Sequence, residues 1–416
     1  MKRQRILFIS RETPSRTGIG AERRAAQNLF ALSKIGDVTL ILRRSQRDSS
    51  IIDPDVAAMA VGGIIFRNEM AYSEVRYSKR LASTNPVQRA FHHLMQPPYH
   101  LDVASPADAK RYREKLGDDY DVVFCFRLSS AVWYDSVFGT ARGTAAVPQK
   151  IVDLDDIESR SFKDGNLEPK PDHFTGRVRF WHHGRIIARL ERRVARSWDT
   201  VLLCSDLDAG RFEQIAGRRA IVVPNTTLFG APQPELPDQS RINILFVGSF
   251  PYQPNQRGVL WLVREVWPLL QSQDAGRFSL TLAGYNPSSE IKAFDGCDNI
   301  EVLDSPPDLD PIYAKANIIA APIFSGSGTR IKVIEAMAKM RAVVSTTVGC
   351  EGLGLVKGQH YVDANDAPAF ANAIASLADD RDRRLMLAKT AYDHAFSRFS
   401  QRHVDTRIAE LVNDAK

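Results

Sequence analysis

The residues best suited to chemistry lie between positions 325 and 338: Ser325, Gly326, Ser327, Gly328, Thr329, Arg330, then Lys332 and Glu335. This stretch follows an apolar run at 317–323 and opens a helical pattern at 330–339. Glycines leave backbone N–H groups free to approach an anion, and a helix start adds further donors and a positive dipole. Arg330 and Lys332 place two cations in the first turn, where each opposes the macrodipole by about 0.3–1 kcal/mol. A structural helix gains nothing from that, whereas a diphosphate site does. The other reading is a flexible loop carrying solvated basic residues. The chain has no Gly-Lys pair, so the loop is not a P-loop. Glu335 has two readings as well: an i,i+4 partner for Lys339, or a bidentate acceptor for ribose hydroxyls.

Other candidates are weaker. Asp153, Asp155 and Asp156 have the spacing of a metal-binding pair of carboxylates, but they end a strand far from the glycine-rich loop, and capping of a turn explains them better. No metal is expected. Gly18 and Gly20 lie between a strand and a helix without the spacing of a dinucleotide fingerprint; they fit a flexible loop near the donor phosphate or the acceptor. Arg127 directly follows the strand at 120–126, at the edge where ligands gather, with an ion pair as the competing reading. Cys125, Cys204, Cys297 and Cys350 are scattered, with no CxxC spacing, as expected of free thiols in a reducing cytoplasm. The adjacent histidines at 92–93 and 182–183 point apart on a helix, so neither pair forms a metal site.

These residues need elements to position them. Apolar runs at 5–10, 38–42, 61–66, 120–126, 150–154, 200–204 and 220–223 read as strands, and helical patterns such as 21–34 separate most of them. A second series has strands at 242–248, 278–283, 299–303, 317–323 and 342–346, and helices at 258–270, 288–293, 311–316, 330–339 and 367–377. Several strands are apolar on both faces, as buried parallel strands are. Prolines 224, 232, 234 and 237 mark a linker between the series, and 391–412 is helical. The predicted class is α/β, with two doubly wound domains, each carrying its ligand edge at the carboxyl ends of its strands and the two facing a cleft.

Charge separates the halves. Of 55 basic and 49 acidic residues among 416, residues 1–225 hold 36 and 27, and the remainder 19 and 22. Seven arginines fall within 177–196, where Ile186, Leu190, Val194 and Trp198 form an amphipathic stripe. One reading is a solvated helix face; the other is attraction to an anionic membrane surface, at about 1 kcal/mol per nearby cation. Aromatic residues do not interleave with the basic ones as a stacking platform requires, so no nucleic-acid partner is expected. No run approaches the roughly 20 apolar residues of a membrane span. The basic N-terminus is followed by too short an apolar stretch for a signal peptide. A cytoplasmic protein, with peripheral membrane contact on the cytoplasmic face, is the expectation.

Residues 241–353 resemble the donor half of a GT-B glycosyltransferase, closest to glycosyltransferase family 4. The matching pieces are ILFVGSF at 244–250, LTLAG at 280–284, EVLDSPPDLDPIYAKANIIAAPI at 301–323, GSGTRIKVIEAMA at 326–338 and VVSTTVGCEGL at 343–353. The first half is similar more loosely, through RILFIS with its glycine-containing loop and through 202–226. The resemblance implies domains at 1–225 (acceptor) and 241–398 (nucleotide sugar), a linker at 226–240, and a C-terminal helix at 399–416 returning to the first domain.

On this resemblance Glu335 matches the second glutamate of a Glu-x7-Glu motif that holds the nucleotide ribose; the first falls at Ser327, where the sequence departs. The family's arginine and lysine after the first donor-domain strand fall at Phe250 and within 255–257; the arginine is lost and the lysine has no clear counterpart. Arg330 and Lys332 are the natural replacements for neutralising the diphosphate. Gly248, Ser249, Asp304, Gly326, Ser327, Gly328 and Thr329 complete the implied nucleotide-sugar site. These departures are similar to a bacterial subgroup linked to exopolysaccharide and cell-surface sugar assembly. The implied activity is retaining transfer from a UDP-, GDP- or dTDP-sugar to a glycan or lipid-linked acceptor. A GT-B sugar-nucleotide epimerase and a non-catalytic nucleotide-sugar-binding protein are the alternatives.

Overall fold

The structure, a computed structural model, describes residues 3–16, 18–43, 52–67, 98, 101–117, 119–139, 148–165, 170–171, 173–230, 241–274, 276–325 and 329–413. The chain forms two units, residues 1–224 with 404–416, and residues 225–403. Each is a parallel sheet with helices, built from the alternating strand and helix patterns of the sequence.

The N-terminal sheet comprises β1 (Gln4–Ser10), β2 (Gly36–Arg43), β3 (Gly63–Arg67), β4 (Val122–Phe126), β5 (Gln149–Asp153), β6 (Thr200–Leu203) and β7 (Ile221–Val222), in the order β3-β2-β1-β4-β5-β6-β7. All five residues of β4 and all four of β6 are buried, as sheets covered on both faces require. On one face, Ala25, Leu29 and Leu32 of the helix Gly20–Ile35 pack on Ile6, Phe8 and Leu40. On the other, Ile187, Leu190, Val194 and Trp198, from and just after the helix Phe174–Ser197, join Trp133 and Val152.

The C-terminal sheet comprises β8 (Ile242–Val247), β9 (Phe278–Gly284), β10 (Ile300–Asp304), β11 (Ile318–Ala321), β12 (Ala342–Ser345) and β13 (Val362–Asp363), in the order β10-β9-β8-β11-β12-β13. The last strand has only two residues, too few to leave a periodic signal. After β8 the chain runs through the helix Gln253–Trp261, a π-turn at Leu262–Val266 and the helix Trp267–Gln273, where the sequence predicted one helix. Pro268 has no N–H for the i→i−4 ladder, and the adjoining turn widens to accommodate it.

The predicted C-terminal helix is two helices, Arg381–Phe399 and Gln401–Asn413, separated at Ser400, whose ψ of 148° is extended. Ala391, Ala395 and Phe399 are buried in the C-terminal unit. Val404, Ile408 and Val412 are buried in the N-terminal one, so the chain returns there as expected. The return begins at Val404 rather than at 399, because the side chain of Phe399 is still core of the other unit. Residues 231–240 of the proline-rich segment lie outside the described residues.

Candidate functional site

In the C-terminal sheet β8 lies between β9 and β11, so strand order reverses at the β8–β11 boundary. Ligands of open parallel sheets gather at this switch point, beyond the carboxyl ends of the strands. β8 delivers Gly248 and Ser249 there. β11 leads through residues 322–330 into the helix Ile331–Ala338, whose Val333, Ile334, Ala336 and Met337 are buried and fix its orientation on the sheet. Gly326, Ser327 and Gly328 lie outside the described residues.

Lys332 reaches from this helix to the end of β8. Its Nζ donates to Asn255 Oδ1 at 2.7 Å and lies 4.4 Å from the centre of the Phe246 ring. Asn255 in turn donates from Nδ2 to the Ser249 carbonyl at 2.8 Å. A Cβ at Gly248 would stand 2.8 Å from both Lys332 Nζ and Asn255 Nδ2, so glycine alone leaves room for the contact. No described carboxylate lies within ion-pairing distance of Lys332. Desolvation pushes its pKa down to about 7, with Glu335 one turn along acting in the opposite direction.

Arg330 begins the same helix and is 9% exposed. Its Nη2 lies 3.9 Å from Glu351 Oε2, so the two predicted cations diverge, Lys332 toward β8 and Arg330 toward the turn after β12. Thr329 Oγ1 is buried with no hydrogen-bond partner among the described residues. Glu335 is half-buried, and Lys339, its suggested i,i+4 partner, forms an ion pair with Asp310 at 2.7 Å. Asp304 ends the edge strand β10, two strands from β8. There Lys292 Nζ contacts it at 2.8 Å and Ser305 Oγ donates to it at 2.8 Å. These two bonds, that from Lys292 first, hold the Asp304 carboxyl below its usual range.

Gly248, Ser249, Lys332 and Glu335 are therefore gathered at the switch point, while Asp304 stands apart. Sequence reasoning passed over Asn255 and Phe246. The available signal was that positions 255–257 hold no lysine.

In the N-terminal unit the equivalent switch point lies between β1 and β4. Of the predicted loop glycines, Gly18 precedes the helix Gly20–Ile35 but Gly20 is that helix's first residue, because Glu22 Oε2 accepts from the Ile19 N–H at 2.8 Å and caps the helix there. Arg127 has φ 75° and ψ 150°, and its guanidinium is 2.9 Å from Asp155 and 3.2 Å from Asp156. Asp153 is fully buried, accepting from Arg24 at 2.8 and 2.9 Å and from Asn28 at 2.6 Å. The carboxylates of the metal-like spacing are thus engaged with two arginines and an asparagine. Nearby, Glu191 accepts from Ser159 N at 3.0 Å and Ser159 Oγ at 2.5 Å, yet burial still pushes its pKa up to about 8. Burial also pushes Asp156 up to about 6 against the pull of Arg127.

Two Rossmann-like units, with sheets of seven and six parallel strands, define a GT-B fold. Residues 241–380, within the C-terminal unit, match the family model of the glycosyl transferases group 1. A chain from Klebsiella pneumoniae described as an uncharacterized 44.6 kDa protein in the cps region is 31% identical over 180 residues, which is 41% of this chain and 46% of that one. The aligned part thus spans less than half of this relative. Sucrose-phosphate synthase from Thermosynechococcus elongatus has a similar fold, with a TM-score of 0.66 at 16% identity over 99% of both chains. Anabaena HepE in complex with UDP and glucose gives 0.64 at 14% identity over 98% of this chain and 99% of that one.

Proposed function

We propose that this protein is a retaining glycosyltransferase of family 4 type, taking a sugar from a UDP-, GDP- or dTDP-sugar to a glycan or lipid-linked acceptor in cell-surface polysaccharide synthesis. The observation that carries this reading is the Lys332 ammonium group beside Gly248 and Ser249, held by a neutral acceptor and lacking a described carboxylate partner. Such a cation suits an anionic ligand. The group 1 match, the UDP bound to HepE and the cps region of the Klebsiella relative support it.

In this reading the diphosphate lies across the end of β8 and the start of the helix Ile331–Ala338. Lys332 and the Thr329 hydroxyl meet its oxygens, and Arg330 adds charge from the far side. Glu335 accepts from the ribose hydroxyls. The bond from the anomeric carbon to the diphosphate breaks as the acceptor oxygen bonds the same face, and the acceptor proton passes to the departing phosphate oxygen. Stabilising that leaving group is the protein's electrostatic task. A charge-assisted hydrogen bond made only in the transition state contributes about 1.5–3 kcal/mol, or one to two powers of ten in rate. Arg330→Ala is expected to lower turnover at least about tenfold with the fold intact; unchanged turnover removes Arg330 from the mechanism. A thermal-shift screen of nucleotide sugars would identify the donor, since a ligand at about 100 times its Kd stabilises by about 2.7 kcal/mol.

The acceptor side of the proposal includes contact with an anionic membrane. Arg177, Arg185, Arg189, Arg193 and Arg196 are all exposed along one face of the helix Phe174–Ser197, together with Phe174 (79% exposed) and Trp181 (59%). The only carboxylate within the helix, Glu191, is buried on the opposite face. Such a face fits anionic headgroups, with the two rings at the interface. Flotation with phosphatidylserine-containing vesicles at low salt, lost at high salt and on replacing these arginines, is the expected result. Equal behaviour with neutral vesicles points to a soluble acceptor.

A further inference from the structure

Resting on the nucleotide reading above, we infer that Asn255 is a positioning residue that holds the Lys332 amine at the end of β8 as a proton switch, so that a nucleoside diphosphate binds there together with one proton from solvent.

The geometry that carries this is the company Lys332 keeps. From the helix after β8 it meets the Asn255 amide oxygen at 2.7 Å; from β8 itself, the Phe246 ring face and the Gly248 backbone. None of these bears a charge. On its own helix, Glu335 acts on it from a distance, and Arg330 is directed toward Glu351. Arg257, on the helix of Asn255, is exposed. A charged amine in such a setting is partly stripped of water and has no counter-ion within ion-pairing distance, which favours the neutral form; its pKa is accordingly pushed down to about 7. A diphosphate supplies the missing counter-charge and restores the proton. The amide oxygen of Asn255 is an acceptor only, so it fixes the Nζ at hydrogen-bonding distance in either protonation state, and its Nδ2 is anchored on Ser249. A carboxylate in its place would keep the amine permanently charged; alanine would leave it unplaced.

The sign follows directly. If the protonated amine is the binding-competent form, apparent affinity scales with its population, falling roughly 25-fold from about pH 6.5 to about pH 8.5. The experiment is calorimetric titration of the full chain with UDP, and in parallel GDP and dTDP, across that range in two buffers of different ionisation heat. Lys332→Arg, charged throughout, subtracts the protons that the diphosphate itself binds. Wild type is expected to take up about half a proton more than Lys332→Arg at about pH 7 and close to one more at about pH 8.5. Asn255→Asp should flatten the pH dependence, an effect that a merely structural asparagine would not produce, and Asn255→Ala should weaken binding about tenfold at the acid end. Binding with no uptake beyond that of Lys332→Arg, or an Asn255→Asp variant that keeps the wild-type slope, overturns the coupling and leaves the nucleotide reading standing. Failure of all three nucleotides to bind at any pH overturns both the coupling and the nucleotide reading. An NMR titration of the Lys332 13Cε resonance in ligand-free protein reports the switch without nucleotide: a midpoint near pH 7 supports it, and one near 10.5, the ordinary value, sinks it.

Discussion

A lysine held over an aromatic ring and tied to an amide oxygen costs the empty protein stability. Lys332 titrates near pH 7 in the folded chain against 10.5 for an ordinary lysine, so between those values the unfolded state binds more protons and stability rises with pH. The penalty is complete below pH 7 and fades toward 10.5. Lys332→Met should therefore raise the thermal midpoint of the ligand-free protein at acid and neutral pH, with the gain shrinking at alkaline pH, as differential scanning calorimetry would record. A lower midpoint at neutral pH would contradict the picture of an uncompensated cation. Glu191 works in the opposite sense. Its folded value of about 8 lies above the ordinary 4.5, so it stabilises the fold below pH 4.5 and that contribution is lost as pH rises through 8. Glu191→Gln should be more stable relative to wild type at about pH 8 than at about pH 5, with Asp156 leaving a residual slope; parallel profiles would rule out a protonated Glu191.

Among the elements, the helix Gln401–Asn413 is held to the N-terminal unit by Val404, Ile408 and Val412, with Lys34–Asp405 and Gln149–Leu411 contacts beside them. Ile408 is 1% exposed, and Ile408→Ala should cost about 2–5 kcal/mol, seen as a lower denaturation midpoint; a loss under about 0.5 kcal/mol, the usual effect at a surface site, would mean the helix is not docked. Elements were also what the sequence displayed best. The strands leading to the site were legible to within about two residues, because parallel strands buried on both faces stand out as short apolar runs. The π-turn and the two-residue β13 were not, since the first depends on how Pro268 is accommodated and the second has no period. Of the site, the ends of β8 and β11 were legible, and so were Lys332 and Glu335 as residue types. Where their side chains lead was not. Asn255 lies 77 positions from Lys332, and whether Arg127 meets a ligand or Asp155 and Asp156 is decided by contacts no local pattern records.

At the scale of the whole molecule, the group 1 match is confined to residues 241–380, and the first 225 residues carry the excess positive charge. The C-terminal unit thus supplies the donor chemistry in this account, and the N-terminal unit the acceptor and its membrane. The account stands on one contact, that of a diphosphate with Lys332 at the carboxyl ends of β8 and β11. The dissociation constants of UDP, GDP and dTDP for wild type and for Lys332→Met, measured at about pH 6.5 where the amine is mostly charged, test it most directly. At least one nucleotide should bind wild type, and Lys332→Met should bind it at least about tenfold more weakly. Equal affinity in the two proteins, or binding of none of the three nucleotides to wild type, would contradict it.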